Sequence, residues 1–194
     1  MTNVVIASSA SSRCQRRYEK TWLSNIAKPS WPARDRDVKR ADPLLAIPVD
    51  EVSSSPLLTA RDIEIVRSDW EKVERAGEAA ATLLYDRLFS LDRRIRLLFP
   101  LDLEEQKLKV IRMLGAAIHG LSNPDVLLPI LRLLGRKHVA FGVREEHYAM
   151  LADALIWTLR QALAGAFDEE HEAAWTRVYT VLATHMQMDA YLDA

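Results

Sequence analysis

The stretch LLGRKHVAFGVREEHYAML, residues 133–151, decides the fold of this chain. A run of apolar side chains ends at His138, Gly142 follows four residues later, and a second helical pattern begins near Arg144. Glycine readily adopts the left-handed backbone that ends many helices, so the stretch predicts two helices joined by a tight turn. His138 then stands at the end of the first helix, where the helix dipole favours a histidine. It is either a capping residue there or a ligand that the fold directs inward.

Length and composition indicate an ordinary globular chain. It has 194 residues, 49% of them hydrophobic and 27% charged, and a formal net charge of −1. This charge gives no overall basis for nucleic-acid binding, which needs a basic surface. Cys14 is the only cysteine, which excludes an intrachain disulfide and a cysteine zinc cluster and fits a reducing compartment, so we expect a cytoplasmic protein. No apolar run approaches the roughly 18 residues that a membrane span requires.

The first 58 residues differ from the rest. They contain five of the eight prolines, none of the six glycines and several serine clusters. Such a segment cannot bury enough apolar surface to offset its ordering entropy, so we predict a disordered or weakly structured extension over 1–58 and one domain over 59–194. A short helix near Gln15–Ile26 is an alternative for part of it. Its origin is left open between a bacterial-style tail, a start codon assigned too early and an organelle transit peptide.

From Thr59 onward the pattern is amphipathic helix. Thr59 and Asp62 form a capping-box signature, and Asp168 has the position of an N-cap for the last helix. Gly120 is expected to close one helix, and Asn123 with Pro124 to open the next. No strand alternation is present, so the domain is predicted to be all-α with about seven helices. Their predicted starts lie near residues 59, 78, 92, 103, 124, 144 and 168.

Two of these helices present apolar faces suited to a flat cofactor. Gln106, Val110, Leu114 and Ala117 recur at helical spacing on one face, and Leu131, Leu134 and His138 do so on another. A glutamine on such a face needs a hydrogen-bond partner, because burying its amide without one is costly. The turn between the helices leaves enough chain for the two faces to oppose each other.

These residues carry a resemblance to a known family. ATLLYDRLF contains Tyr85, LLFP contains Phe99, EEQKLKVI contains Gln106 and Val110, and RKHVAFGVREEHY contains His138 and Tyr148. In this order and spacing, the chain from about 59 to 192 resembles the globin family. The similarity is greatest to bacterial single-domain haemoglobins and to the globin half of flavohaemoglobins. The resemblance implies a globin fold without a clear D helix, and b-type haem as the cofactor.

The resemblance also implies residue roles. His138 becomes the proximal iron ligand, which must be a neutral imidazole. Tyr85 and Gln106 become hydrogen-bond donors to a gas on the opposite face, and Phe99 packs against the ring. Tyr148 is expected beside the proximal histidine, which usually donates its second N–H to a neighbour. Val110 and four ordinary core residues are expected to line the pocket: Leu98, Leu134, Val143 and Met186.

Other polar residues are assigned to the surface or left open. His119, His147 and His171 are predicted to be surface or structural residues, and His185 is the one to check because the last helix borders the haem in the family. Lys107, Lys109 and Arg112 are predicted to form a solvated face, with a salt bridge from one of them to a haem propionate as the alternative.

The implied function is reversible dioxygen binding at a five-coordinate haem, for storage, delivery or scavenging, with carbon monoxide and nitric oxide as further ligands. One alternative is nitric oxide dioxygenation with a separate reductase as partner, because no flavin or nicotinamide motif follows the last helix. Another is a haem-based gas or redox sensor. The chain departs from the flavohaemoglobin pattern at Ala190, which occupies the position of a proximal glutamate, with Asp189 on a different helical azimuth. This departure disfavours peroxidase-like chemistry.

Overall fold

The fold is an all-helical bundle in a computed structural model of the chain. The structure describes residues 58–188 and 190–191. The predicted extension over 1–58, the alternative helix near Gln15–Ile26 and Asp189 therefore lie almost wholly outside the described residues and stay predictions. Six α-helices follow one another: α1 Ala60–Ala76, α2 Glu78–Leu91, α3 Glu104–Gly120, α4 Pro124–Ala140, α5 Glu145–Leu163 and α6 Glu169–Gln187.

The short helix predicted near residue 92 is a 3₁₀ helix, Arg93–Leu98, and it completes the seven. A further single 3₁₀ turn, Ala164–Ala166, follows α5. Residues 99–103 are not helical, in agreement with the expected lack of a D helix. No strand occurs among the residues that the structure describes, so the predicted fold class is confirmed.

Local signals explain most of the helix ends. Thr59 and Asp62 form a reciprocal capping box at the start of α1, and Asp168 accepts the backbone N–H of His171 at the start of α6. Gly77 and Gly142 have φ of 49° and 83°, backbone conformations that suit glycine at the ends of α1 and α4.

Two helix ends lie where they were predicted, but without the capping contacts that the signals suggested. Gly120 is the last residue of α3, and its cap is Leu121 in a right-handed conformation, so a left-handed glycine does not end this helix. Asn123 precedes Pro124 at the start of α4 as expected, but its side chain makes no capping hydrogen bond. The adjacent proline at the first helical position already removes one of the unpaired N–H groups there.

The first and last helices pack together around buried tryptophans and two buried carboxylates. The rings of Trp70 on α1 and Trp175 on α6 lie 6.4 Å apart between centroids. Asp69 accepts hydrogen bonds from His171 Nδ1 at 2.7 Å and from the Trp175 indole at 3.1 Å. Both bonds go to Oδ2 of a carboxylate with no exposed surface, and Oδ1 lies 3.5 Å from the Lys72 ammonium, so a buried and charge-paired side chain joins α1 to α6.

Helices α4 and α6 approach each other closely at Gly135. A Cβ placed on Gly135 would overlap the backbone carbonyl of Met186, so only glycine fits at this crossing. Gly135 lies one turn before His138 on α4. The close approach therefore fixes where the end of α4 sits relative to α6.

Candidate functional site

An apolar cavity of about 280 Å³ opens between the helices. Its size is near the lower end of the range for small-molecule and cofactor sites. Its walls come from α2, the 3₁₀ helix, α3, α4, the start of α5 and the second half of α6. The residues that line it include Leu84, Leu88, Ile95, Met113, Leu114, Ala117, Leu131, Leu151, Leu182 and Ala183.

All ten residues that the sequence placed at the site line this one cavity. They are Tyr85, Leu98, Phe99, Gln106, Val110, Leu134, His138, Val143, Tyr148 and Met186. The faces of α3 and α4 therefore meet at one space, as their spacing suggested. Which of these residues contact a bound group stays a prediction.

His138 reaches the cavity from the last turn of α4. Its Nδ1 lies 2.9 Å from the backbone carbonyl oxygen of Leu134, one turn earlier. A carbonyl only accepts, so Nδ1 carries the proton and Nε2 keeps its lone pair. Burial lowers the pKa of His138. Both effects favour a neutral imidazole that can bind a metal through Nε2.

Tyr85 and Gln106 form a polar pair within the apolar walls. Tyr85 on α2 is 3% exposed, and its hydroxyl is hydrogen-bonded to the side chain of Gln106 on α3. Burial raises the pKa of Tyr85 to about 12, against the smaller effect of the Gln106 bond, so the phenol keeps its proton at neutral pH. The pair offers an O–H and an N–H to a small ligand between α2 and α3.

An aromatic cluster holds Tyr85 in place. Its ring lies 5.3 Å from that of Phe99 and 5.7 Å from that of Phe89, and Phe89 and Phe99 lie 5.5 Å apart. The two contacts of Phe99 are edge-to-face and the Tyr85–Phe89 contact is stacked, and both are favourable arrangements of aromatic rings. Phe99 thus occupies the junction after the 3₁₀ helix, where the resemblance expected a packing aromatic residue.

Three tyrosines surround the other side of His138. The Tyr148 ring lies 6.3 Å from the imidazole, and its buried hydroxyl has no hydrogen bond within 58–188 and 190–191. Tyr179 on α6 donates to the backbone carbonyl of Tyr148 at 2.7 Å, and Tyr191 donates to that of Val143 at 3.2 Å. Burial raises the pKa of Tyr148, with a further contribution from the nearby Tyr191 hydroxyl. The one N–H of the neutral His138 ring, at Nδ1, donates to the Leu134 carbonyl, so Tyr148 lies beside the imidazole without bonding to it.

The other four histidines differ in their hydrogen-bond partners and in whether they reach the cavity. The Nδ1 of His147 accepts the backbone N–H of Arg144 at 3.1 Å, which fits its assignment as a surface or structural residue. His147 also lines the cavity, which that assignment did not anticipate. His171 supports Asp69, and His119 Nδ1 lies 2.6 Å from the Gly115 carbonyl. His185 is bonded to the Val181 carbonyl at 2.8 Å and does not line the cavity.

The basic residues of α3 differ in their surroundings. Arg112 is exposed, as expected of a solvated face, whereas the side chain of Lys107 is only 15% exposed and pairs with Glu104 at 2.8 Å. Lys109 lines the cavity, and so does Lys137 on α4, which the sequence did not single out.

The donor set fits a haem with one axial imidazole. The cavity offers one imidazole with an available Nε2 next to apolar walls, and a phenol–amide pair on other helices. Within the described part of the chain, no group of three or more histidine, cysteine or acidic side chains could hold a bare metal ion. No described helix is long and apolar enough to cross a bilayer.

Comparison with known proteins agrees with this geometry. A family model described as Globin matches residues 82–186, more than half of the chain. Neuroglobin of Tetraodon nigroviridis is 28% identical over 143 residues, which are 66% of this chain and 90% of that protein. The flavohemoprotein of Vibrio cholerae is 28% identical over 130 residues, 66% of this chain and 33% of that protein, so the chain spans about a third of its length.

Solved structures share the fold. A hexacoordinated heme protein from an anhydrobiotic tardigrade superposes with a TM-score of 0.63 at 24% identity, covering 69% of this chain and 96% of that one. An engineered carbene transferase from a putative nitric oxide dioxygenase of Rhodothermus marinus superposes with a TM-score of 0.62 at 24% identity, covering 69% of this chain and 93% of that one.

Proposed function

Because the chain belongs to the globin family, we propose that it holds a b-type haem between α3 and α4 and binds dioxygen reversibly and tightly. The observation that carries the proposal is the His138–Leu134 hydrogen bond of 2.9 Å, which leaves a neutral Nε2 facing an apolar cavity. Bound haem would supply an iron that His138 holds and that binds a diatomic gas. Carbon monoxide and nitric oxide belong to the same ligand class.

One imidazole, that of His138, would hold the iron. Among the described residues, His138 and His147 are the histidines that line the cavity, and His147 has its Nδ1 engaged at the start of α5. Neither lies on α2 or α3, which carry Tyr85 and Gln106. The gas side therefore has donors but no second imidazole.

Tight binding follows from those donors. The Tyr85 O–H and the Gln106 N–H would stabilise the partial negative charge that dioxygen acquires when it binds. A hydrogen bond to a charged group contributes about 1.5–3 kcal/mol. One such bond slows release by about 10- to 150-fold, since about 1.4 kcal/mol is a factor of ten. The chain is thus suited to storage or scavenging more than to rapid delivery.

Gas exchange on the reduced protein tests the proposal. Haemin-reconstituted protein is reduced, exposed to dioxygen and then flushed with argon. We expect a spectral change on oxygenation that argon reverses slowly. Immediate irreversible oxidation, with no reversible phase at any temperature, would contradict reversible binding.

Nitric oxide dioxygenation is the second candidate. The Tyr85–Gln106 pair would hold dioxygen for attack, and the similarity to a flavohemoprotein favours such use. The overall reaction, dioxygen plus nitric oxide plus one electron giving nitrate, needs a separate electron donor. The oxygenated protein is mixed with nitric oxide in a stopped-flow instrument, with and without a reductase. Binding alone gives at most one nitrate per protein, whereas dioxygenation with a reductase gives repeated turnover.

A further inference from the structure

Arg96 differs from the other two arginines of the 3₁₀ helix Arg93–Leu98. Arg93 and Arg94 are exposed, and Arg94 pairs with Asp92 at the start of the same helix at 2.8 Å. Arg96 is half-buried, and its guanidinium is directed toward the chain that follows the helix. A solvated face therefore explains Arg93 and Arg94 but not Arg96.

The Arg96 guanidinium is hydrogen-bonded to three successive backbone carbonyls. Its Nη1 donates to those of Phe99 at 3.2 Å and Pro100 at 2.7 Å, and its Nη2 donates to that of Leu101 at 2.7 Å. An arginine near a helix end can bond to the last carbonyls of its own helix. Here Phe99 is the cap and the other two residues lie beyond it. Arg96 therefore holds the loop 99–103, which joins the 3₁₀ helix to α3.

The same guanidinium contacts the aromatic cluster around Tyr85. It lies over the ring of Phe89, 5.5 Å from the centroid, where a cation is attracted to the ring face. Phe89 and Phe99 both pack against the ring of Tyr85. Arg96 thus contacts the first phenylalanine through its ring and the second through its backbone carbonyl.

We propose that Arg96 is a positioning residue for Tyr85, and that it keeps the phenol directed at a bound gas by holding both phenylalanines against the ring. The inference rests on the proposed function, because it concerns the hydroxyl that would donate to dioxygen. Phe99 is the first residue of the loop, so a loop without Arg96 can carry the Phe99 ring away from Tyr85. The space that opens there lets the phenol turn away from the gas.

Arg96→Gln tests the proposal in haem-loaded protein, because glutamine removes the charge and the fork that spans three carbonyls. Dioxygen dissociation, measured by replacement with carbon monoxide, should become about three- to tenfold faster. The effect should be smaller than that of Tyr85→Phe, because the phenol is loosened and not removed. The infrared stretching band of bound carbon monoxide should move to higher frequency, since its hydrogen-bond donor is less well placed.

Arg94→Gln is the matched control. It makes the same chemical change on the same helix, but the Arg94 side chain is 82% exposed and pairs only two residues away, with Asp92. It should change the dissociation rate less than about twofold. Chymotryptic cleavage after Leu101, a residue that is 97% exposed, should be faster in Arg96→Gln and unchanged in Arg94→Gln.

Arg96→Lys is a milder second variant for the case that Arg96→Gln does not retain haem. Lysine keeps a cation near Phe89 but lacks the planar fork that bonds to several carbonyls. Dioxygen dissociation should accelerate in the same direction by a smaller factor.

A double-mutant cycle with Tyr85→Phe separates positioning of the phenol from general loosening of the pocket. With the phenol absent, adding Arg96→Gln should change the dissociation rate less than about twofold. General loosening would instead accelerate dissociation by the same factor whether or not the phenol is present.

The role of Arg96 is overturned by any of three results: an equal effect with and without the Tyr85 phenol, an unchanged rate and infrared band in the Arg96 variants, or equal effects of Arg96→Gln and Arg94→Gln. Carbon monoxide spectra after dithionite reduction are recorded on the same samples. If the natural protein gives normal carbon monoxide spectra and one of these results is obtained, the role of Arg96 alone is contradicted. Absent carbon monoxide spectra in the natural protein contradict the proposed function.

Discussion

Gly135 of α4 lies against the backbone carbonyl of Met186 on α6, leaving no room for a Cβ atom between them. The contact stands one turn before His138 and on the wall of the cavity, since Met186 also lines it. Any side chain at position 135 must separate the two helices. Separation moves the end of α4, and the imidazole moves with it.

Gly135→Ala should therefore lower the free energy of unfolding by about 1–3 kcal/mol, the usual range for overpacking, and should also speed haem loss. Urea unfolding and haemin transfer to apomyoglobin measure the two effects. Gly165→Ala is the matched control, because a Cβ there meets no atom within 4 Å. Equal stability of both variants would show that α4 can shift without cost.

Tyr85→Phe removes the phenol that is hydrogen-bonded to Gln106 and keeps the ring in its aromatic cluster. Dioxygen dissociation should become about 10- to 150-fold faster, measured by ligand replacement with carbon monoxide. Tyr191→Phe removes the same atom near Val143, on the side of His138, and should leave that rate unchanged. An unchanged dissociation rate in Tyr85→Phe would show that the phenol does not slow dioxygen release.

Asp62 makes the stability of the α1–α6 contact depend on pH. The Arg177 guanidinium, with help from Thr59, lowers the pKa of this buried carboxyl from 3.8 to about 2. Because the folded-state pKa is depressed, the stabilisation is complete above pH 3.8 and disappears as the pH falls toward about 2.

Asp62→Asn should accordingly lower the free energy of unfolding by about 1–2 kcal/mol at pH 7. This difference from the natural protein should shrink between pH 4 and pH 2. Chemical unfolding across that range measures it. Asp86→Asn, at an exposed position on α2, should change stability by less than about 0.5 kcal/mol. If Asp62→Asn lowered the free energy of unfolding by the same amount down to pH 2, the ion pair with Arg177 would not be what lowers the pKa of this carboxyl.

Local patterns predicted much of this structure because they act within one turn or one helix face. The Thr59–Asp62 box, the left-handed Gly142 and the two facing helical stripes all depend on residues close in sequence. Gln106, Val110, Leu134 and His138 line one cavity for that reason, whereas the other six predicted site residues were assigned from the resemblance to globins. The roles assigned to them remain predictions that binding measurements must test.

Features that depend on distant contacts could not be predicted. The need for glycine at position 135 arises from a backbone 51 residues later, at Met186. Tyr179 and Tyr191 reach carbonyls 31 and 48 residues away, and nothing in their local sequence indicates this. His147 lines the cavity only because the turn after α4 brings the start of α5 there. Its position next to Tyr148, a residue predicted to lie at the site, was the one feature of the sequence that could have indicated this.

The absorption spectrum of haemin-reconstituted protein, reduced with and without carbon monoxide, tests the central claim for the natural chain and for His138→Gly. We expect a five-coordinate reduced spectrum with a sharp carbon monoxide shift in the natural protein. The His138→Gly variant should lose both spectral features. Added imidazole should restore them by filling the space of the missing side chain. A colourless natural protein, or a variant whose spectra match it without imidazole, would contradict the assignment of His138 as the iron ligand.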